Sequence, residues 1–122
     1  AGAATASGYA GAATASGDAG AATASGYAGA ATASGTRGAA TASGYAGAAT
    51  ASGKWGVAMG VGIDGRARAA EGNVLFLVER DNGYGPNRGK ILAAWHGFAG
   101  RDGIQPDTYY TLRDGKPVEV AS

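Results

Sequence analysis

The chain contains no cysteine, so neither a disulfide framework nor thiolate chemistry is open to it. It has a single histidine, His96, which leaves no pair of imidazoles for a metal site or a proton relay. No apolar run approaches the ~20 residues that a membrane helix needs, and no signal-peptide pattern is read at the start. A net charge of +1 sets no strong field of either sign, which argues against a generic nucleic-acid binder and against an acidic mimic of one. Large side chains are nearly missing from the first half, so a thick hydrophobic core cannot form there.

What is present is glycine, 24 residues of it, together with alanine in a strict order. Residues 1–54 are six near-identical nonapeptides: AGAATASGY, AGAATASGD, AGAATASGY, AGAATASGT, RGAATASGY and AGAATASGK. Gly-rich composition alone suggests disorder, but a fixed period signals a repeat architecture. Each unit splits into a five-residue middle, such as 3–7, and a Gly-flanked junction, Gly8-Tyr9-Ala10-Gly11. Alanine favours helix, yet two glycines per nine residues cost a helix roughly 1 kcal/mol each. Short strands with glycine corners, the glycines supplying positive φ, give a parallel β-solenoid instead. The ninth position alternates between Tyr9, Tyr27, Tyr45 and Asp18, Thr36, Lys54. Two nonapeptides therefore make one coil, coils stack at ~4.7–4.9 Å, and the tyrosines form a ladder along one edge. Asp18 and Lys54 fall on the opposite edge, too far apart to pair.

The seventh unit, Trp55–Ile63, carries Val57, Met59 and Val61 at alternate positions. Period-two alternation reads these as the inward face. By register Ala3, Thr5 and Ser7 then point inward, and Ala4, Ala13, Ala22 and their copies form a flat outer pavement. In a degenerate eighth unit, aligned on Gly72, Ala67 and Ala69 point in while Arg66 and Arg68 point out. The opposite register exposes a Thr-Ala-Ser array.

From Asn73 the composition changes. Residues 74–80 and 91–95 read as strands of a long-looped hairpin around 81–90. Strands at 108–112 and 117–120 flank Arg113-Asp114-Gly115-Lys116, a hairpin signal. The expected organisation is all-β: a nonapeptide solenoid at 1–72 with two nonapeptides per 18-residue coil, and an antiparallel capping region at 73–122. Solenoid ends expose strand edges and need such atypical units. Both phenylalanines and three of the six tyrosines lie in the second half, which is expected to supply the hydrophobic core.

The residues offer little chemistry. His96 sits near Trp95 and Phe98 with no nucleophile to serve, and Asp102, Asp107, Asp114 and Glu119 fall in turns or on strand faces. Calcium-binding nonapeptides need a carboxylate in every repeat, whereas Asp18 is the one acid in six copies. Gly60-Val61-Gly62 lacks the strand–helix setting of a phosphate loop. Arg66 and Arg68, with Arg80, Arg88 and Lys90 beyond them, read as a solvated basic face. The tyrosine ladder offers rings to bases or sugars, but a structural edge stack is the commoner explanation. The chain is expected to be non-enzymatic, with neither cofactor nor metal.

Three stretches carry a resemblance. Gly56-Val57-Ala58-Met59-Gly60-Val61-Gly62 resembles the S-V-A-I-G-x-G coil in head domains of trimeric bacterial adhesins. Those coils are longer and trimerise, whereas 18 residues let one chain complete its own coil. Leu77-Val78-Glu79-Arg80-Asp81 and the run from Gly103 to Val120 are similar to the "LVERD" strand and "GIKPDTWYTLVDGKPVEV" ending of Gly/Ser/Ala-rich nonapeptide proteins of phages and prophages. That resemblance implies a β-solenoid and a phage virion or host-cytoplasmic setting, and brings no catalytic residues with it.

The sequence thus points to a rigid structural or interaction module that presents a flat surface and a tyrosine edge to a protein partner or to another copy of itself. Its candidate binding residues are Tyr9, Tyr27, Tyr45, Ala4, Ala13, Ala22, Arg66 and Arg68; no membrane partner is indicated. The alternative is an ice-binding solenoid using Thr/Ser arrays, which requires Thr5, Thr14 and Thr23 to face solvent. A third expectation is a block on a host defence, or nucleic-acid binding, through Arg66, Arg68 and the tyrosines.

Overall fold

A computed structural model describes residues 2–120, and every element in it is a strand. Eight four-residue strands occupy the repeats: β1 (Ala3–Ala6), β2 (Ala12–Ala15), β3 (Ala21–Ala24), β4 (Ala30–Ala33), β5 (Ala39–Ala42), β6 (Ala48–Ala51), β7 (Val57–Gly60) and β8 (Arg66–Ala69). Odd and even strands of these eight belong to different sheets, and each of β1 to β6 pairs in parallel with the strand 18 residues on. Two strands per coil and eight strands make four coils of a parallel β-solenoid, as the alternation at the ninth position requires.

The remaining strands finish both sheets. β9 (Val74–Arg80) continues the first sheet in parallel beside β7, and β10 (Ile91–Phe98) returns antiparallel to β9. β11 (Tyr110–Arg113) meets β8 antiparallel through Tyr110 and Ala67, then pairs with β12 (Lys116–Glu119). The first sheet is thus ordered β1-β3-β5-β7-β9-β10, and the second β12-β11-β8-β6-β4-β2. Asp114 and Gly115 both have positive φ, the geometry of the tight Asp-Gly hairpin turn.

Which residues face in is the reverse of the expectation drawn from Val57, Met59 and Val61. The core is a double column of alanine methyls, from Ala13 and Ala15 through Ala49 and Ala51 to Ala67 and Ala69. Leu75 and Leu77 of β9 continue it, both fully buried. Ala13 and Ala22 therefore lie inside, at 4% and 1% exposure, and Ala4 is half-buried. The expected alanine pavement does not exist on the surface. The cause is thickness. A Cβ built on Gly60 would come within 2.7 Å of the Arg66 backbone in the opposite sheet, so there not even a methyl fits, and along the rest of the repeats the space between the sheets is filled by alanine methyls. Valine and methionine cannot enter such a gap. They align with Ala39 and Thr41 and face outward. Arg66 and Arg68 do face outward, and Ala67 and Ala69 inward, but in the unshifted alignment, where Arg68 pairs with Thr50.

The corners also differ from expectation. Positive φ falls on the first residue of each unit, Ala10, Ala19, Ala28, Arg37, Ala46, Trp55 and Asp64. The glycines are needed for close approach instead: a Cβ on Gly26 would run into the Gly8 carbonyl one coil away. The first five corners are each tied twice, the first of them within its coil by Gly11 N–H to Gly8 O at 3.0 Å, and between coils by Ala10 N–H to Tyr27 O at 2.7 Å.

Candidate functional surface

The outer face of the first sheet is built from three columns. The central one reads Thr5, Thr23, Thr41, Met59 and Phe76, with His96 beside Phe76 on β10. An alanine column, Ala3, Ala21 and Ala39, passes into Val57, Val74 and Phe98. On the third side Ser7, Ser25 and Ser43 give way to Val61 and Val78. No charged side chain stands in these columns among the described residues. The face therefore grades from a hydroxyl-and-methyl lattice to a frankly apolar end, where Phe76 and Phe98 are 40% and 39% exposed. His96 stacks on Phe76 at 5.6 Å between ring centroids, which sets its ring against the apolar end of the face.

The second sheet is closed over at the corresponding end. Tyr109 covers Thr50, with the two hydroxyl oxygens 3.1 Å apart, and Arg68 lies over the Tyr109 ring at 4.6 Å. Thr111 donates from Oγ1 to Gly65 O at 2.7 Å, and the Asp107 N–H donates to Ala69 O at 2.8 Å. Arg68 is thus engaged by the chain's own C-terminal segment, and Thr14 and Thr32 are what remains of an open lattice on that side.

The tyrosine ladder forms as expected. Tyr9 and Tyr27 stack at 5.0 Å with 6° between planes, and Tyr27 and Tyr45 at 5.1 Å with 8°. Arg88 packs its guanidinium against both Tyr45 and Tyr84, at 5.3 and 5.1 Å. Both faces of Tyr27 are covered by its neighbours, so this spacing leaves no room for a base or sugar between the rings. Arg66 and Arg68 belong to the second sheet and do not join the ladder in one site. Across the molecule, Asp18 pairs with Arg37 of the next coil at 2.7 Å. The Arg37 hydrogen bond holds the Asp18 carboxyl below its ordinary value, and Asp18 in turn raises Arg37. This partner follows from the one copy in which arginine replaces the leading alanine.

A cleft of about 390 Å³ lies between β9 and the C-terminal hairpin, with Asp64, Glu79, Arg80, Asp81, Arg113 and Asp114 among its walls. Its polar groups are largely spent on the fold. Glu79 accepts the Asp114 and Gly115 N–H groups at 3.0 and 2.9 Å, and Arg80 donates to Val61 O and Gly89 O at 2.6 and 2.9 Å. Among the described residues no group of three or more His, Asp or Glu is placed to hold a metal ion.

Sequence reasoning passed over Asn73. It is buried, and its Nδ2 donates to Ala51 O and Gly53 O at 3.1 and 2.7 Å, pinning the corner at 53–56 to the cap. The signal was available: an amide side chain where the repeats place alanine or glycine. No family model, curated protein or solved structure matches the chain.

Proposed function

We propose that the protein is a non-catalytic binding module that works through the outer face of its first sheet. One observation carries this reading. The face is regular and free of charge in its columns, and it ends in half-buried Met59 and exposed Phe76 and Phe98. Contiguous exposed apolar surface of this kind is the usual mark of a protein contact. The second sheet offers no equal, because Tyr109 and Arg68 occupy it. The experiment compares capture of protein partners by the whole chain with capture by Phe76→Asp and by Arg68→Ala. Phe76→Asp loses capture and Arg68→Ala keeps it. Equal capture by all three overturns the reading.

A second reading is favoured by the outward threonines. Thr5, Thr23 and Thr41 repeat at strand spacing with Ala and Ser columns on either side, a methyl-and-hydroxyl lattice of the kind that can order water as ice. Its extent is three coils before Met59 interrupts it. Thermal hysteresis and ice-recrystallisation inhibition test it, with Thr23→Lys as the control that must abolish activity. No activity at high protein concentration removes this reading.

A further inference from the structure

We infer that the occupant of the first sheet's outer face is a second copy of this chain, seated face to face with both solenoids running in the same direction. This rests on the reading of that face as a binding surface. Four features of the face point to it.

Its side chains recur at the strand spacing of ~4.8 Å, so a second copy meets it in register at every coil, whereas an unrelated surface matches at one. Its columns hold no charge among the described residues, so pairing the face with itself buries no ion and sets no like charges together. Its size is sufficient. Six strands at ~4.8 Å, with the three columns spanning about five residues of each at ~3.3 Å per residue, give a footprint of roughly 500 Å² per copy. Two copies then bury about 1,000 Å², the lower bound for a specific interface and the range of weak, reversible ones.

The apolar gradient fixes the direction. With the two-fold axis parallel to the solenoid, Met59, Phe76 and Phe98 of one copy lie on the apolar end of the other. With the axis along the strands, β9 lies over β3, so Phe76 faces Thr23 and the apolar surface meets hydroxyls. Burial of apolar area decides for the first. That arrangement also brings the tyrosine edge of each copy beside the edge of its mate that carries Arg37 and Lys54, where cation–π contacts are available.

The test combines mass and geometry. Sedimentation of the whole chain from about 10 μM to about 1 mM shows a monomer–dimer equilibrium with Kd in the range of tens to hundreds of micromolar. Phe76→Asp weakens it at least tenfold while leaving the circular-dichroism melt unchanged, since Phe76 lies outside the core. The chain has no cysteine, so Thr23→Cys introduces a single thiol in the central column. A short bismaleimide links two such thiols across a sandwich ~10 Å deep in the same-direction dimer. In the opposed dimer they are also offset by about 14 Å along the axis, beyond its span. A monomer at every concentration overturns the proposal, as does a dimer indifferent to Phe76→Asp. A dimer without cross-linking overturns the direction. If the wild type is monomeric while Phe76→Asp still abolishes capture of another protein, self-pairing fails and the binding-face reading stands.

Discussion

Tyr109 sets its phenolic oxygen 3.1 Å from the Oγ1 of Thr50. That contact makes the two sheets of a nearly symmetric solenoid unequal. Thr50 is buried at 6% exposure, while its counterparts Thr32 and Thr14 on the same column are half-buried and exposed. The C-terminal segment closes one face at its apolar end and leaves the other open. A molecule built from identical repeats acquires a front and a back in this way.

Removing the hydroxyl isolates that contact. Tyr109→Phe keeps the ring beneath Arg68 and loses one part-buried hydrogen bond, for about 1 kcal/mol of stability. Tyr109→Ala also loses the ring contact with Arg68, worth ~0.5–1 kcal/mol more. Urea midpoints of the three proteins give the order, and amide exchange at Thr50 rises in the alanine variant alone. Equal midpoints for all three would mean that the strap does not hold the second sheet.

The inner and outer positions of one strand separate just as cleanly. Ala40 is fully buried between the sheets, and its neighbour Thr41 points to solvent. Ala40→Val adds two methyl groups where there is no room, at a cost of ~1–3 kcal/mol. Thr41→Val changes stability by no more than ~0.5 kcal/mol. Thermal or urea unfolding checks both. A larger loss at Thr41 than at Ala40 would restore the register in which threonine faces inward.

The solenoid, its 18-residue coil, the tyrosine ladder and both C-terminal hairpins were legible in the sequence, because each is written as a period or as turn chemistry. Tyr9, Tyr27 and Tyr45 recur at 18, and Asp114-Gly115 sits between alternating runs. The inward face was not legible, and Val57, Met59 and Val61 pointed the wrong way. Apolar character normally marks the inside, but here the limit is volume: the gap between sheets admits alanine and excludes valine. The buried alanine columns, and the approach of Gly60 to the opposite backbone that bars even a methyl, show how narrow that gap is, and no single sequence states how far apart two sheets stand. Arg66 and Arg68 held the missing clue. Without a one-residue shift they align with Ala48 and Thr50, and two arginines cannot face a methyl-wide core.

The corners yield a stabilising change. Ala28 is exposed with φ of 55°, a conformation that costs an alanine roughly 1 kcal/mol and suits asparagine better. Ala28→Asn therefore raises stability by a few tenths to ~1 kcal/mol, and the same change at Ala19 or Ala46 adds to it. Gly26→Ala does the opposite, because its methyl would strike the Gly8 carbonyl; the loss falls at the upper end of ~1–3 kcal/mol or beyond. Melting temperatures of the single and combined variants check the sign and the additivity.

The Asp18–Arg37 pair predicts a pH dependence whose direction is fixed. The Arg37 hydrogen bond lowers the Asp18 carboxyl below the ordinary carboxylate range in the folded chain. A carboxylate depressed on folding contributes stability above its unfolded pKa and loses that contribution as pH falls through its folded one. Both residues are exposed on the solenoid edge, so the contribution is small and screened by salt. Unfolding midpoints of the wild type and Asp18→Asn, followed from about pH 6 to about pH 2 at low salt, therefore start apart and converge at the acid end. Adding salt at neutral pH narrows the same gap. A gap that stays constant through the acid range would assign the difference to the asparagine substitution itself, and not to the charge that Arg37 holds in place.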